Sequence, residues 1–396
     1  MSGFDAMWSD LAPVGRHPAT GGYRRYAWTR TDATLREWFG GEASERGLDV
    51  VPDRAGNLWA WTADPDAGRP GLAMGSHLDS VPDGGAFDGP LGVVSAFAAL
   101  DLVRARGLSP RRPLGVVCFT DEEGARFGVA CAGSRLLTGA LDPDRARRLT
   151  DDDGTTLAEA VSAAGWDPRR LGRDDEALRR IGTFLELHVE QGRGLGNGDA
   201  PVGIATAIRP HGRWRLDLPG RADHAGTTRL EDRRDPLLPL AAVIRAARDA
   251  AALHGVLATV GKVLVTPNAV NAIPSAVTAW LDARGLPEAA VRAVVAEVGA
   301  SGGVDPVEES WTPATAFDPD LRDVVAAAAG GDQGSAPLLA TGAGHDAGIL
   351  SAAGVHTAML FVRNPTGVSH SPVEHAERDD CLAGVEALAR TIEALV

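Results

Sequence analysis

The segment SHLDSVPDGGAFDGPLG carries residue types that bind metal ions, directly after a short apolar run. His77 and Asp79 are two residues apart, so both can project to the same side of an extended chain, where Asp79 would accept the second imidazole N–H and set the tautomer of His77. Asp88 lies in a glycine-flanked turn and is suited to bridge two cations, which repel each other at about 3.5–4 Å. The segment alone is also compatible with an ordinary acidic loop, and the later clusters favour the metal site.

A pair of adjacent glutamates, Glu122 and Glu123, follows the apolar run LGVVCF in the segment TDEEG. Such a pair usually belongs to a solvated loop, but its position directly after a buried strand argues otherwise. Consecutive residues point in different directions, so one can bind a metal while its neighbour faces the water to be activated. We predict that Glu123 is a metal ligand and that Glu122 is the general base.

Two histidines complete the set of candidate ligands: His188 in ELHVEQG and His370 in GVSHSPVEH. A lone histidine is more often a structural residue than a ligand. Here, however, nitrogen and oxygen ligands occur at four predicted strand ends and no cysteine is among them, which favours Zn²⁺, Mn²⁺ or Co²⁺. The sequence therefore predicts a centre of two divalent metal ions per subunit.

Eight motifs in order resemble those of the dinuclear metallopeptidase superfamily that includes carboxypeptidase G and aminoacylase: SHLDSVPDGGAFDGPLG, TDEEGARFG, ELHVEQG, HAGTT, NAIP, LDAR, GAGHDA and GVSHSP. The chain is most similar to the amidohydrolase branch, which contains bacterial allantoate amidohydrolases, N-carbamoyl-L-amino acid hydrolases and β-ureidopropionases. The resemblance covers essentially the whole chain. It implies that His77, Asp88 and His188 hold one metal, and that Asp88, Glu123 and His370 hold the other.

Five further residues are predicted to contact the substrate. The resemblance implies that Arg284 in LDAR clamps a substrate carboxylate, for which its planar fork is suited, although a surface arginine is the plainer interpretation. Asn271 in VNAIP can offer a donor and an acceptor to a ureido group, or can simply form a turn. Gln191 can reach the same pocket, and His345 in GAGHDA can shape its wall. The resemblance implies that His224 in ADHAGTT stabilises the oxyanion in a neighbouring subunit.

The chain departs from the family's pattern close to these motifs. Arg229 and Leu230 stand in HAGTTRLEDR where relatives often have Pro-Met, and Arg363 and Asn364 stand in FVRNPTGVSH where many have Pro-Ser. LDAR replaces the commoner LDIR. None of these departures falls on a predicted metal ligand. We expect the two arginines to add positive charge near the pocket, which bears on the choice of substrate.

Alternating strands and helices must position these residues. The runs GLAMGSHLDSV, RRPLGVVCFTDEEG and FLELHVEQG are predicted strands with polar ends, and GPLGVVSAFAALDLVRARG is a predicted helix between the first two. Trp and Leu at helical spacing predict an amphipathic helix over residues 20–48. This alternation predicts an α/β domain with a mainly parallel sheet, in which ligands bind beyond the carboxyl ends of the strands.

The sequence pattern changes near residue 210, where strands and helices follow in the order β-α-β-β-α. That order suits a small sheet with two helices on one face. After residue 320, an alanine-rich helix, a glycine-rich turn and an apolar strand return. We therefore predict a catalytic domain formed by residues 1–210 and 321–396, and an inserted α+β (ferredoxin-like) domain over 211–320. The resemblance implies that the inserted domain forms a homodimer.

The composition disfavours several other functions. The chain has 396 residues, 44% hydrophobic and 23% charged, which is normal for a globular protein of two domains. Its net charge of −14 disfavours nucleic acid and anionic membranes as partners. Three cysteines without a CxxC spacing suggest reduced thiols. Neither a secretory signal nor an apolar run of about 20 residues is visible, so we expect a cytoplasmic protein.

These observations predict an amidohydrolase that cleaves a ureido (carbamoyl) C–N bond and releases ammonia and carbon dioxide. Allantoate is the first predicted substrate, because FVRNPTGVSHSPVEH looks most like bacterial allantoate amidohydrolases. This substrate would give the protein a role in purine catabolism. An N-carbamoyl-L-amino acid is the close alternative, since both substrates present a carboxylate and a urea. An aminoacylase or a peptidase ranks third. A binding protein that has lost catalysis is disfavoured, because the ligands and the base are all present.

Overall fold

Four parallel strands form the centre of the large sheet: β3 (Gly71–His77), β4 (Leu114–Phe119), β5 (Ile181–Val189) and β15 (His356–Val362). β3 pairs with β4 and with β5, and β5 pairs with β15, all in parallel. Nearly every side chain in these strands is buried, as in parallel sheets that are covered on both faces. The carboxyl ends of the strands therefore lie at one edge, and the predicted α/β class with a mainly parallel sheet is confirmed.

The computed structural model describes residues 2–196 and 198–396, which form two compact units. The large unit contains the chain up to Ala207 together with Ala316–Val396, and the small unit contains Ile208–Thr315. The corresponding boundaries predicted from the sequence lie at residues 210 and 320. In the large sheet, the strand order is β1 (Asp49–Pro52), β2 (Leu58–Trp61), β4, β3, β5, β15, β6 (Val202–Ile208) and β13 (Thr315–Ala316), with β14 (Leu338–Thr341) beside β6.

The remaining elements complete the two units. The other strands of the large unit are β1 (Asp49–Pro52), β2 (Leu58–Trp61), β6 (Val202–Ile208) and β14 (Leu338–Thr341). Its helices are α1 (Ser2–Leu11), α2 (Arg30–Glu45), α3 (Pro90–Ala105), α4 (Ala132–Thr138), α5 (Pro143–Arg147), α6 (Leu157–Ala163), α7 (Asp175–Arg180), α10 (Pro319–Gly330), α11 (Asp346–Ala352) and α12 (Arg378–Leu395), with 3₁₀ turns at Pro168–Arg170 and Gly331–Gln333. The small unit has β7 (His211–Pro219), β8 (Asp223–His224), β9 (Leu257–Thr266), β10 (Ala272–Ile273), β11 (Ala276–Arg284), β12 (Val307–Thr312), α8 (Leu237–His254), α9 (Glu288–Gly302) and a 3₁₀ turn at Leu230–Asp232; β13 (Thr315–Ala316) lies at the boundary. Among the described residues, no helix combines the length and the apolar character needed to cross a membrane.

The helix predicted over residues 20–48 is wrong in its first part. α2 begins only at Arg30, because the side chain of Thr29 accepts a hydrogen bond from the backbone N–H of Asp32 and caps the helix. Upstream, Tyr23 forms an antiparallel bridge with Gly84. The start of α2 is thus set by a long-range backbone pairing and a local cap, and it cannot be predicted from the spacing of apolar residues alone.

The small unit is built on an antiparallel sheet in the order β12-β7-β11-β9. Side chains alternate along β7, as expected for a strand with one covered face: Trp214 and Leu216 are buried, whereas Arg215 and Asp217 face outwards. The buried residues join an apolar cluster with α8 and α9, so both helices pack against the same face. Two-residue strands β8 and β10 pair with each other outside this sheet.

Candidate metal centre

Most of the candidate ligands lie at or just after the carboxyl ends of strands. His77 is the last residue of β3, His188 is the last but one of β5, and Glu122 and Glu123 follow β4 after a short turn. Gly89, with a positive φ of 85°, allows the start of α3 to approach the ring of His77 closely, because a Cβ there would lie 2.4 Å from Cε1 of the ring. The local sequence thus places imidazoles and carboxylates at one edge of the sheet.

The carboxylate of Asp88 lies among three imidazole rings. Its Oδ1 is 3.1 Å from Nε2 of His188 and 3.7 Å from Nε2 of His77, and its Oδ2 is 3.4 Å from Nε2 of His370. Oε2 of Glu123 is 3.6 Å from the same nitrogen of His370. In each of two groups, His77–Asp88–His188 and Asp88–Glu123–His370, the possible ligand atoms lie within 4.8 Å of one another. Asp88 belongs to both groups.

The hydrogen bonds of two rings direct lone pairs towards Asp88. Nδ1 of His188 is 2.8 Å from the carbonyl oxygen of Val189, and Nδ1 of His77 is 3.1 Å from that of Asp79. A ring nitrogen that faces a carbonyl oxygen carries the hydrogen, so in the neutral rings Nε2 presents a lone pair to the carboxylate. Two acceptors that face each other repel unless a cation lies between them. The nitrogen and oxygen donors therefore fit a pair of divalent metal ions.

Electrostatics at the site also favour cations. Burial and the charge of Asp88 raise the pKa of Glu123 well above its usual range. Burial disfavours the charged form of His77, but the negative charges of Glu122 and Asp79 outweigh it and raise the pKa of His77 well above its usual range. For Asp88, in contrast, burial is outweighed by the three histidines, which lower its pKa, so the shared carboxylate is charged and offers a negative charge that divalent cations would neutralise.

Asp79 holds the turn that carries the two glutamates. Its Oδ1 accepts a hydrogen bond from the backbone N–H of Glu122 at 3.1 Å, and its Oδ2 accepts one from Glu123 at 3.0 Å. The predicted contact with His77 involves mainly the carbonyl oxygen of Asp79, because the carboxylate is farther away, at 3.5 Å from Nδ1. Asp79 thus orients both glutamates as well as the ring.

Glu122 is a buried carboxylate beside His77 that belongs to neither of these two ligand groups. Its Oε2 is 3.8 Å from Nε2 of His77, and its Oε1 accepts a hydrogen bond from the thiol of Cys131 at 3.2 Å. Burial raises the pKa of Glu122 to about 7, although the positive charge of His77 opposes this shift. A general base is most effective when its pKa lies near the working pH.

The loop that carries His370 is organised by Asn364, a residue that the sequence analysis notes only as a departure. The buried side chain of Asn364 accepts hydrogen bonds from the backbone N–H groups of Thr366 and Gly367 and donates to the carbonyl oxygen of Val368 at 2.8 Å. His370 itself has a positive φ of 55°. An Asn before Pro and Gly is a turn signal that would have identified this loop.

Two residues beside His370 escaped the sequence analysis. Oε1 of the buried Glu374 accepts hydrogen bonds from the backbone N–H groups of Phe87 and Asp88, both at 3.0 Å, and so fixes the turn that carries the shared carboxylate. Ser369 lies between Oδ2 of Asp88, at 3.2 Å, and Oε2 of Glu374, at 2.9 Å. Gln191, predicted as a substrate contact, donates to the same Oδ2 of Asp88 at 2.9 Å.

His345 lies behind the candidate centre and is buried. Its ring is 4.5 Å from the ring of His188, and possible ligand atoms of Glu186, His188 and His345 form a third group within 4.8 Å. Glu186 is satisfied by the hydroxyl of Ser76 at 2.8 Å and the backbone N–H of Ala347 at 2.9 Å. His345 therefore packs against a candidate ligand, and its predicted role at the pocket wall stays a prediction.

The other predicted substrate residues belong to the small unit. His224 and Asn271 come together because β8 pairs with β10, with His224 opposite Ala272. Nδ1 of His224 accepts hydrogen bonds from the backbone N–H groups of Gly226 and Thr227, so the neutral ring carries its hydrogen on Nε2.

Arg284 ends β11, and its guanidinium pairs with Asp282 two residues earlier on the same face of the strand. Nε donates to Oδ1 of Asp282 at 2.7 Å, and Nη2 donates to Oδ2 at 2.6 Å. The two departures with positive charge are also paired: Arg363 forms two hydrogen bonds with Asp380, and Arg229 lies 3.8 Å from Glu231. The charge of Arg363 is thereby neutralised locally.

A mainly parallel sheet with nitrogen and oxygen ligand groups at its carboxyl edge defines a class of metal-dependent hydrolases. The model of Peptidase family M20/M25/M40 matches residues 73–394, and the chain belongs to this family. It is 37% identical over 397 residues to the N-carbamoyl-L-amino acid amidohydrolase of Geobacillus stearothermophilus, with 97% of this chain and 95% of the relative covered. It is 29% identical over 396 residues to the allantoate amidohydrolase of Escherichia coli, with 96% and 94% covered.

Similarity to a solved structure narrows the class of hydrolase further. The amidase of the hydantoinase/carbamoylase family from Burkholderia vietnamiensis has a TM-score of 0.90 at 30% identity and covers 98% of this chain and 96% of its own. The chain is thus an amidohydrolase of carbamoylase or allantoate amidohydrolase type, a hydrolase that acts on C–N bonds. The resemblance noted from the motifs is confirmed.

Proposed function

We propose that the protein hydrolyses the carbamoyl C–N bond of N-carbamoyl-L-amino acids at a centre of two divalent metal ions. The observation that carries the proposal is the position of Glu122, a buried carboxylate outside both ligand groups with Oε2 at 3.8 Å from Nε2 of His77. A full set of ligands beside a spare buried carboxylate suits a hydrolysis that needs a general base. The substrate class is supported by the 37% identity to a carbamoyl amino acid amidohydrolase.

In this proposal, His77, Asp88 and His188 hold one ion, and Asp88, Glu123 and His370 hold the other. Manganese, zinc or cobalt ions bound there would supply polarisation of the ureido carbonyl and a lower pKa of a water molecule. Asp88 is kept in place for both groups by the hydrogen bonds from its backbone N–H to Glu374 and from Gln191 to its carboxylate.

Proton transfer is assigned to Glu122. Its Oε2 takes a proton from the attacking water and delivers it to the departing nitrogen, while Asp79 holds the turn. The substrate R–NH–CO–NH₂ and one water thus give the free amine and carbamic acid, which yields ammonia and carbon dioxide. Allantoate, ranked first in the sequence analysis, is the second candidate, because its named relative is equally well covered but is 29% identical.

Removal of metal from the purified protein is expected to abolish ammonia release, and Mn²⁺, Co²⁺ or Zn²⁺ is expected to restore it. Ammonia release is compared for N-carbamoyl-L-amino acids, their D enantiomers and allantoate, and release of the free amino acid is measured for N-acyl-L-amino acids, whose hydrolysis gives no ammonia. The L-carbamoyl compounds should give the highest kcat/KM. A higher kcat/KM for allantoate would favour the second candidate, and undiminished turnover in metal-free protein would refute the two-metal proposal.

We also propose that the small unit forms a homodimer through β9 and α8. Among the described residues, β9 lies at one edge of its sheet, beside β11. Apolar side chains are exposed on these elements: Leu264 at 50%, Leu238 at 73% and Leu253 at 76%. An edge strand beside exposed apolar residues suits association with a second copy of the chain.

The length of β11 supports a site completed by two chains. Arg284 ends this strand, whereas Ala276 begins it, and nine residues at about 3.3 Å each place their Cα atoms roughly 26 Å apart. The ladder continues past Ala276, where Gly220 donates to the carbonyl oxygen of Ser275, towards the segments that carry His224 and Asn271. That separation exceeds the length of a small ureido carboxylate. If all three residues contact one substrate molecule, Arg284 must come from one chain and the other two from its partner.

Arg284→Lys is expected to lower kcat/KM for carboxylate substrates by about 10–100-fold, since a lysine keeps the charge but loses the paired donors. Arg215→Lys is the matched control, because Arg215 lies in the same sheet and pairs with Asp217 at 3.1 Å. Steady-state kinetics of both variants decide the assignment. Equal losses in the two would remove Arg284 from the substrate site.

A further inference from the structure

The thiol of Cys131 contacts the proposed general base. Sγ of Cys131 donates to Oε1 of Glu122 at 3.2 Å, and the residue is only 2% exposed. Oε2 of the same carboxylate is the oxygen that faces Nε2 of His77, at 3.8 Å. The two oxygens of Glu122 therefore have different surroundings: one is held by a thiol, and the other is directed to the ligand groups.

Backbone hydrogen bonds fix Cys131 relative to Glu122. Three successive N–H groups at the start of α4, those of Cys131, Ala132 and Gly133, donate in turn to the carbonyl oxygens of Glu122, Asp121 and Thr120. Cys131 has a positive φ of 54°, which allows its N–H and its side chain to approach the same glutamate. The start of the helix and the turn after β4 thus form one rigid unit that carries both the base and the thiol.

We propose that Cys131 is a positioning residue that fixes the rotamer of Glu122, so that Oε2 faces the reaction centre. This inference rests on the proposed function, because it needs Glu122 to act as the base. A carboxylate held at one oxygen cannot rotate freely about its last side-chain bond, and its other oxygen stays where the water proton is transferred. A thiol is a weak donor, so it orients the carboxylate while withdrawing less of its negative charge than a hydroxyl or an amide would.

The thiol is suited to remain a donor. Burial and the charge of Glu122 raise the pKa of Cys131 well above its usual range, so the hydrogen stays on sulfur. The simpler alternative is that Cys131 only fills space beside the turn. If Cys131 only fills space, valine, which has a similar size but no donor hydrogen, should preserve activity. If Cys131 positions Glu122, serine, which is smaller but has a donor hydrogen, should preserve it.

The test compares Cys131→Val, Cys131→Ala and Cys131→Ser, with Cys381→Ala as the matched control, since Cys381 is a buried cysteine in α12. We expect the valine and alanine variants to lose about 10-fold in kcat with little change in KM, and the serine variant to stay within about 3-fold of the parent. The control should be unchanged, and metal content and thermal midpoint are measured for all four. Retained activity in the valine variant together with a loss in the serine variant would show that Cys131 only fills space, and equal losses in the two would overturn the positioning role.

A double-mutant cycle separates this inference from the proposed function. In a Glu122→Gln background, Cys131→Val should cause no further loss, because the base that it positions is absent. Additive losses would overturn the positioning role and leave Glu122 as the base. If Glu122→Gln is itself fully active, the proposed function fails, and the positioning role fails with it.

Discussion

Replacing Glu122 by glutamine is expected to lower kcat by about 10²–10⁴-fold, the usual contribution of a general base. Glutamine keeps the size of the side chain and one acceptor oxygen, but it cannot take a proton from water. Metal content should stay at that of the parent protein, because Glu122 lies outside both ligand groups. Steady-state kinetics and metal analysis of the same preparation measure the two effects together.

Glu123→Gln is the matched control for this experiment. Oε2 of Glu123 lies 3.6 Å from Nε2 of His370, within a ligand group, so this variant should lose metal as well as activity. The two substitutions are chemically identical and adjacent in the chain. Loss of metal from the Glu122 variant, with retention in the Glu123 variant, would mean that the two roles are exchanged.

A mixture of His224→Ala and Glu122→Gln proteins is expected to regain activity when their subunits exchange. In a heterodimer whose sites are completed across subunits, one site carries both lesions and the other carries neither. With statistical exchange, about a quarter of all sites are then intact. His224 suits this role because its Nδ1 accepts two backbone hydrogen bonds, which leaves the hydrogen on Nε2 to be donated to an oxyanion.

One further mixture makes the complementation specific. Glu122→Gln mixed with His370→Ala should regain nothing, because both residues belong to the large unit and every heterodimer site then carries one lesion. Native mass spectrometry of isotopically labelled subunits reports the exchange independently of activity. Exchange without recovery in the His224 mixture would mean that His224 serves its own chain or has no part in catalysis.

Much of the candidate site could be predicted from sequence because one local pattern carries two kinds of information. A buried apolar run that ends in polar residues predicts a strand and also gives the chemistry at its end, as for His77, Glu122 and His188. Parallel strands bring such ends to one edge, so the grouping follows from the fold class. The pairing of Arg284 with Asp282 could also have been predicted, since residues two apart share a face of a strand.

Contacts between distant segments left no comparable signal. Glu374 holds the backbone of Asp88 from 286 residues away, and Arg363 is neutralised by Asp380 on α12 rather than adding charge to a pocket. The thiol of Cys131 reaches Glu122 only because the start of α4 docks on the turn after β4. Each partner depends on how loops and helices pack, which apolar spacing does not encode.

The sequence by itself thus determined the residue types available for chemistry, the strands that carry them and the edge at which they meet. Only the tertiary structure decided which oxygen of Asp88 faces which ring, which oxygen of Glu122 remains open to His77, and that Arg284 ends β11 whereas His224 lies in the separate pair of strands β8 and β10. The physical reason is the distance along the chain over which each kind of information acts. Hydrophobic periodicity is a property of neighbouring residues, whereas hydrogen bonds and metal ligation depend on atoms placed within a fraction of an ångström by segments that are far apart in the chain.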